Sequence, residues 1–193
     1  RSGIPNFTNV PSFYQDPPGS TEEALELVLD MPASFKPGEG YEYSNTNYLL
    51  IGELIAKVTG AGKHDYIEEA ILTPLGLTNT FGSIHDVDMD KMMSGYYVGL
   101  DTDFKTDDNG LIIATAEDTG TFLRALNDGS VFDEGEQDIY SSIYVYEHTG
   151  LMPGYQSIAK YHKDIDTVVI QFTNTVDFEG YNWNLSEIAY GRV

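Results

Sequence analysis

Apolar residues recur along this chain with two periods, and the change from one to the other divides it. From Thr46 onward, Tyr48, Leu49, Ile51, Leu54, Ile55 and Val58 keep the three-to-four spacing of a helix, and Gly60 stands where such a helix stops. Ser20-Thr21-Glu22-Glu23 forms a capping box that predicts a helix to about Asp30. A further helix is predicted from Lys63 to Leu72, stopping at Pro74. A second capping box, Thr115-Ala116-Glu117-Asp118, opens a helix to about Asn127, closed by Asp128-Gly129. Beyond it the pattern alternates: Ile143 to Glu147, Tyr155 to His162 and Thr167 to Thr173 read as strands, with residues 163–166 turning between the last two. A helix is expected from about Trp183, laid against the sheet. Residues 1–19 read as a loop rich in Pro, Gly and Asn, and 82–110 as irregular and acidic. The pattern predicts an α+β chain, with a helical region over approximately 12–130 and sheet strands plus a C-terminal helix over approximately 138–193.

At 193 residues the chain is expected to form one domain. Its 31 acidic against 10 basic residues give a formal charge of −21. That charge excludes nucleic acid and anionic membrane as partners, because phosphate binding needs clustered Lys and Arg. The acids are spread along the chain, as on a solvated, self-repelling surface. There are no cysteines, which removes disulfides, thiolate catalysis and Cys-ligated zinc. No apolar run approaches a membrane span. Asp101, Asp103, Asp107, Asp108 and Asn109 lack the glycine and terminal glutamate of a calcium loop, so a solvated acidic loop is expected and no metal. No cofactor is expected either. His64, His85 and His162 stand outside any motif and are expected at the surface or in the core.

Two short constellations carry candidate chemistry. Tyr43-Ser44-Asn45 sits on the turn leading into the second helix, where a helix expected to be buried would hold it rigidly. His148-Thr149-Gly150 sits about a hundred residues later, near a strand end. The first lies in PGEGYEYSNTNYLLIGELIAKVTG, which closely resembles the Y-x-N signature of the serine β-lactamase-like family. These are penicillin-recognising acyl hydrolases that include class C β-lactamases, D-alanyl-D-alanine carboxypeptidases and related esterases. The second lies in EHTGLMPGYQSIAKYHKDIDTVVIQFTN, which resembles the K-T-G or H-x-G signature of the same family. RSGIPNFT is similar to the end of the family's H-T-S-G-I-P segment, YIEEAILTPLGLTNTF to its helix and loop after Y-x-N, and GLIIATAEDTGTFLRALNDG to its G-L-x-S-T-A-x-D helix start. Two signatures in the right order and context make a strong signal.

The resemblance implies one incomplete β-lactamase/transpeptidase-like domain over 1–193, with the family's N-terminal helix and strands absent. It implies Tyr43 as base or proton shuttle, Asn45 as a bridge to a substrate amide, and His148 in the place of the K-T-G lysine, all three catalytic and gathered in one cleft. It also implies substrate contacts from Thr149, Gly150 and the backbone N–H of Leu151. A phenol with an ordinary pKa near 10 needs a neighbouring cation to serve as a base. The family's nucleophile and its lysine come from an S-x-x-K segment upstream of S-G-I-P, with no counterpart here. The one such string, Ser157-Ile158-Ala159-Lys160, falls in a predicted strand, where residues three apart point to opposite faces. The parent protein is therefore expected to be a serine hydrolase acting through an acyl-serine on a peptide, β-lactam or ester. This chain alone is expected to be inactive. The alternative is a non-catalytic binding protein that has kept the pocket and lost the nucleophile. A small-molecule or peptide substrate is the expected partner, and an apolar sheet edge is expected to associate with the missing N-terminal segment or with itself. The resemblance suggests a periplasmic or secreted location.

Overall fold

Helices begin where side-chain oxygens can take up free N–H groups, and most of those places are visible in the sequence. The computed structural model describes residues 1–13, 16, 18–107, 110–143, 146–177 and 183–193, the Trp183 side chain excepted. The chain divides into two units, Arg1–Ile67 and Glu68–Val193.

In the first unit, helix α1 spans Thr21–Glu26. The Ser20 hydroxyl accepts from the Glu23 N–H at 3.2 Å, and the Glu23 carboxylate accepts from the Gly19 N–H at 2.7 Å. The helix ends before Asp30 because the chain tightens: the Val28 N–H bonds the Leu25 carbonyl, and Met31 precedes Pro32, a position that disfavours helix. Helix α2 spans Asn45–Thr59 and closes at Gly60 with φ 74°, a left-handed conformation open to glycine. Its burial departs from expectation. Tyr48, Ile51, Leu54 and Val58 are 50–75% exposed, and only Thr46 is buried. A polar first turn, not an apolar stripe, anchors α2 in this unit. Helix α3 follows at Lys63–Ile67.

The second unit opens with a wider helical turn, Glu68–Leu72, and a short helix α4, Thr73–Leu75. Pro74 was expected to stop this helix; it is instead carried in the first turn of α4, where a missing N–H costs nothing, and Gly76 at φ 67° ends the path. Strand β1 (Thr80–Phe81) pairs antiparallel with β3 (Ile113–Ala114), and β2 (Tyr96–Tyr97) pairs parallel with β7 (Thr175–Val176). Helix α5 spans Ala116–Asp128. The Thr115 hydroxyl caps it through the Asp118 N–H, and Gly129 closes it at φ 85°.

The main sheet has the order β4-β5-β6, from Glu147–Met152, Tyr155–His162 and Thr167–Thr173, all antiparallel. The last two strands match their predicted spans. The first was predicted over 143–147; Tyr144 and Val145 lie outside the described residues, Ile143 follows a short helix α6 (Glu136–Ser141), and the strand begins at Glu147. Helix α7 spans Trp183–Tyr190, as expected. Leu123 of α5 joins Ala159 and Tyr161 of the sheet in a buried cluster, flanked by Leu126, Val168 and Ile170. On the opposite face Lys160 pairs with Glu187 of α7 at 2.6 Å and with Glu147 at 3.2 Å. The sheet thus lies between two helices in an α+β fold. Of the acidic cluster, Asp103 accepts from the Gly95 and Lys105 N–H groups, and with the Ser94 hydroxyl these hold its carboxyl below the usual range. Asp108 and Asn109 lie outside the described residues.

Candidate functional site

The turn carrying Tyr43 and Asn45 is held by the first nine residues rather than by its own helix. Ser44 stands at the cap position of α2 but makes no side-chain cap bond; its hydroxyl donates to the Pro5 carbonyl at 3.2 Å. The cap comes from elsewhere in the chain. Asn6 Oδ1 accepts from the Asn45 N–H at 3.0 Å, while Asn6 Nδ2 donates to Thr8 Oγ1 at 2.8 Å and to Asn9 Oδ1 at 3.3 Å. Thr46 donates to the Pro5 carbonyl at 2.7 Å and accepts from the Phe7 N–H at 3.1 Å, and Ser2 donates to Asn47 at 2.8 Å. Residues 1–9 are thus not a loose loop but the clamp of this turn.

On that clamp, Asn45 Nδ2 donates to Thr8 Oγ1 at 3.2 Å and Asn45 Oδ1 accepts from the Tyr43 hydroxyl at 3.2 Å. The two expected site residues of this unit are therefore in direct contact. The Tyr43 ring lies 5.6 Å from that of Tyr48. Burial pushes its phenol above the ordinary value, and neighbouring Tyr41 adds to the rise. Tyr43 accordingly keeps its proton at neutral pH and serves as a donor.

His148, Thr149, Gly150 and Leu151 all lie on β4, in the second unit. Strand alternation separates them: His148 and Gly150 face one side, Thr149 and Leu151 the other. His148 pairs with Ala159 across the strands and Gly150 with Ser157. A methyl group at position 150 would meet Ser157 Oγ at 2.6 Å, so a larger residue there would have to turn the Ser157 hydroxyl aside. Burial among its neighbours lowers the His148 pKa, against an opposing pull from Glu147. The ring is neutral at pH 7, and because the folded state resists its protonation, stability contributed here falls as the pH drops below the ordinary value near 6.5. Ser157 and Lys160 fall on opposite faces of β5, and Lys160 is committed to Glu187 and Glu147. This pair has no geometry for a nucleophile and its base.

Residues 1–142 match the family model described as Beta-lactamase. The chain belongs to the Beta-lactamase family. Within 76 residues it is 37% identical to a putative D-alanyl-D-alanine carboxypeptidase of Escherichia coli (strain K12), a stretch covering 39% of this chain and 17% of that protein. Over 61 residues it is 33% identical to the protein of the same description from Salmonella paratyphi B, covering 32% and 14%. The matches thus span less than a fifth of those relatives' length. Among solved structures, the D-amino acid amidase from Ochrobactrum anthropi SV3 complexed with L-phenylalanine amide superposes with a TM-score of 0.76 at 23% identity, covering all of this chain and 70% of that one. The penicillin binding protein from Bacillus halodurans gives 0.77 at 18%, covering 98% and 69%. At those identities the likeness establishes the fold, including the β4–β6 sheet that lies beyond the family-matched residues.

Three polar residues around the candidate site escaped the sequence reading: Asn6, Thr8 and Tyr140, whose hydroxyl lies 2.8 Å from His148 Nε2. The Asn-x-Thr-Asn run after Pro5 was the available signal for the first two, since such residues commonly cap helices. Replacing Asn6 by alanine leaves the Asn45 N–H without its acceptor inside a largely covered network. The expected cost is about 1–2 kcal/mol. Urea unfolding checks it, and an unchanged midpoint would mean that Ser44 or water takes over the cap.

Proposed function

We propose that this chain supplies the Tyr-x-Asn and His-Thr-Gly parts of a serine acyl hydrolase that cleaves amide bonds of D-amino acid derivatives through an acyl-serine intermediate. The observation that carries the proposal is the clamped contact between Tyr43 and Asn45, in which a protonated phenol and a primary amide are held 3.2 Å apart on a helix start. Acyl transfer needs an attacking hydroxyl, proton transfer to the leaving group, donors for the oxyanion and a hold on the far end of the substrate. Tyr43 in its protonated form is suited to protonating a departing amine, and becomes a base only where a cation draws down its pKa. The Asn45 amide can bond a substrate amide with either end. His148, Thr149 and the edge backbone at Leu151 take the substrate's carbonyl or carboxylate. The attacking serine is assigned to an S-x-x-K helix outside these 193 residues.

The D-amino acid preference is supported by the names of relatives: putative D-alanyl-D-alanine carboxypeptidases by sequence, and a D-amino acid amidase by fold. β-Lactams and esters are activated forms of the same acyl chemistry and are expected as poorer or inhibitory substrates.

Labelling the intact protein with a fluorescent penicillin, followed by peptide mass spectrometry, tests the reading. One serine in an S-x-x-K segment preceding Ser2 should carry the label, and Ser157→Ala should label as well as the wild type. Label on Ser157 would overturn the assignment of the nucleophile. Ligand binding with no acylation at all would favour the non-catalytic alternative.

A further inference from the structure

The first two turns of α2 carry a primary amide, an aromatic ring and a branched alkyl group on one ridge. Asn45, Tyr48 and Ile51 stand three residues apart, so they follow one another along one side of the helix. Tyr48 and Ile51 are both about half exposed, at 52% and 50%. The Tyr43 ring, whose hydroxyl bonds Asn45 Oδ1 at 3.2 Å, meets the Tyr48 ring at 5.6 Å with a tilt of 38°. Within the first unit, the phenol, the amide and the second ring thus make one continuous surface. That surface bears no charge. The two charged residues of α2, Glu53 and Lys57, fall on the far side of the helix from Tyr48 and Ile51. In a chain with a formal charge of −21, an uncharged apolar strip beside the proposed reacting groups differs from the solvated acidic surface elsewhere.

We propose that Tyr48, with Ile51 beyond it, is the specificity subsite for the substrate's side chain, selecting D-amino acid amides with an aromatic side chain over those of alanine or of charged residues. The proposal rests on the reading of Tyr43 and Asn45 as the groups that meet the scissile amide. Spacing carries it. Three residues of helix advance about 4.5 Å from Asn45 to Tyr48. Three bonds, or about 4 Å, separate an amino acid's amide carbon from the first ring atom of a benzyl side chain. A substrate amide bonded to Asn45 therefore lays such a ring against Tyr48, where offset or edge contacts between rings are favourable. Ile51 extends the contact by one more turn. A methyl side chain does not reach this far and gains little from the strip. A charged side chain has to give up water against it without a partner, which is unfavourable. The expected preference for a D-phenylalanine amide over a D-alanine amide is about ten- to a hundredfold in kcat/KM.

The test compares the two amides on the intact protein and reads the ratio of their kcat/KM values. Tyr48→Ser removes the ring and should cut the preference for phenylalanine by about tenfold or more, whereas Tyr48→Phe keeps the ring and should hold it within about twofold. The ratio matters because a Tyr43 loosened by the loss of its neighbour slows both substrates alike and cancels. Val58→Ala, on the same helix but more than two turns further on, should leave the ratio as in the wild type. A second readout does not need turnover. In protein labelled with 13C at tyrosine, N-acetyl-D-phenylalanine amide should shift the ring resonances of Tyr48, identified by their loss in Tyr48→Phe. A ratio that survives Tyr48→Ser, or Tyr48 resonances that ignore this ligand, would overturn the proposal and leave the hydrolase reading in place if the amides are cleaved. Shifted resonances in a protein that cleaves neither amide would keep the subsite and remove the hydrolase reading instead.

Discussion

Tyr43→Phe in the intact protein is expected to lower kcat on a D-amino acid amide by about a hundred- to ten-thousandfold, the usual range for removing a positioned proton donor or base. The size follows from what the substitution leaves behind. The Tyr43 ring is 54% exposed and meets Tyr48 at 5.6 Å, so its packing carries little of the fold. Phenylalanine preserves those contacts. What disappears is one hydroxyl and its 3.2 Å bond to Asn45. Asn45 stays held by Thr8 at 3.2 Å and by Asn6 through its backbone. KM should therefore change by only a few fold, and thermal stability hardly at all. Steady-state kinetics on wild type and variant, with melting curves as control, separate the two effects. An equal loss in KM with kcat intact would make Tyr43 a binding residue, and an unchanged kcat/KM would remove it from the reaction altogether.

Polar punctuation was a good guide wherever local chemistry decides the structure. The Thr115 cap and Gly129 stop frame α5, and the alternation from Tyr155 to Thr173 frames β5 and β6, because caps and period-2 faces act over a few residues. It failed where a distant partner decides. Strand β4 carries His148, Thr149 and Gly150, a run with no apolar alternation, and takes its register from β5 through pairs such as His148 with Ala159. The apolar stripe of α2 read as buried because periodicity reports a face without saying what covers it; in the structure the stripe lies open and Thr46 holds the helix. The site shows the same split. Tyr43, Asn45 and His148 were singled out as candidates by motif context alone. Asn6 and Thr8 lie 39 and 37 residues from the Asn45 they hold, and no local pattern encodes such a pairing. Tyr140 is only eight residues from His148, but it reaches the ring through a helix that the polar sequence of 129–148 did not announce.

The largest loss of stability is expected from Asp118→Ala, at about 3 kcal/mol. Asp118 is 7% exposed, in the first turn of α5, where a negative charge is favoured by the helix dipole. Its carboxylate accepts from the Asn79 N–H at 2.8 Å and from the Thr80 hydroxyl at 2.9 Å, while its own N–H bonds Thr115 at 3.2 Å. The Thr115 N–H in turn bonds the Asn79 carbonyl, and β1 pairs with β3 just beyond. One carboxylate thus closes the junction of a helix start and a two-stranded ribbon. Hydrogen bonds to a charged acceptor contribute about 1.5–3 kcal/mol each, and a buried N–H left unpaired adds its desolvation cost. Alanine removes both acceptor bonds at once and strands the Asn79 N–H. For a chain of this size about 3 kcal/mol corresponds to a fall in Tm of roughly 6–12 °C. Asp118→Asn retains one acceptor oxygen and should recover more than half of the difference. Thermal melts of the two variants decide the matter. If asparagine and alanine melt together, the charge rather than the acceptor geometry holds the junction, and hydrogen exchange at residues 79–81 and 113–118 will show whether the loss is confined to it.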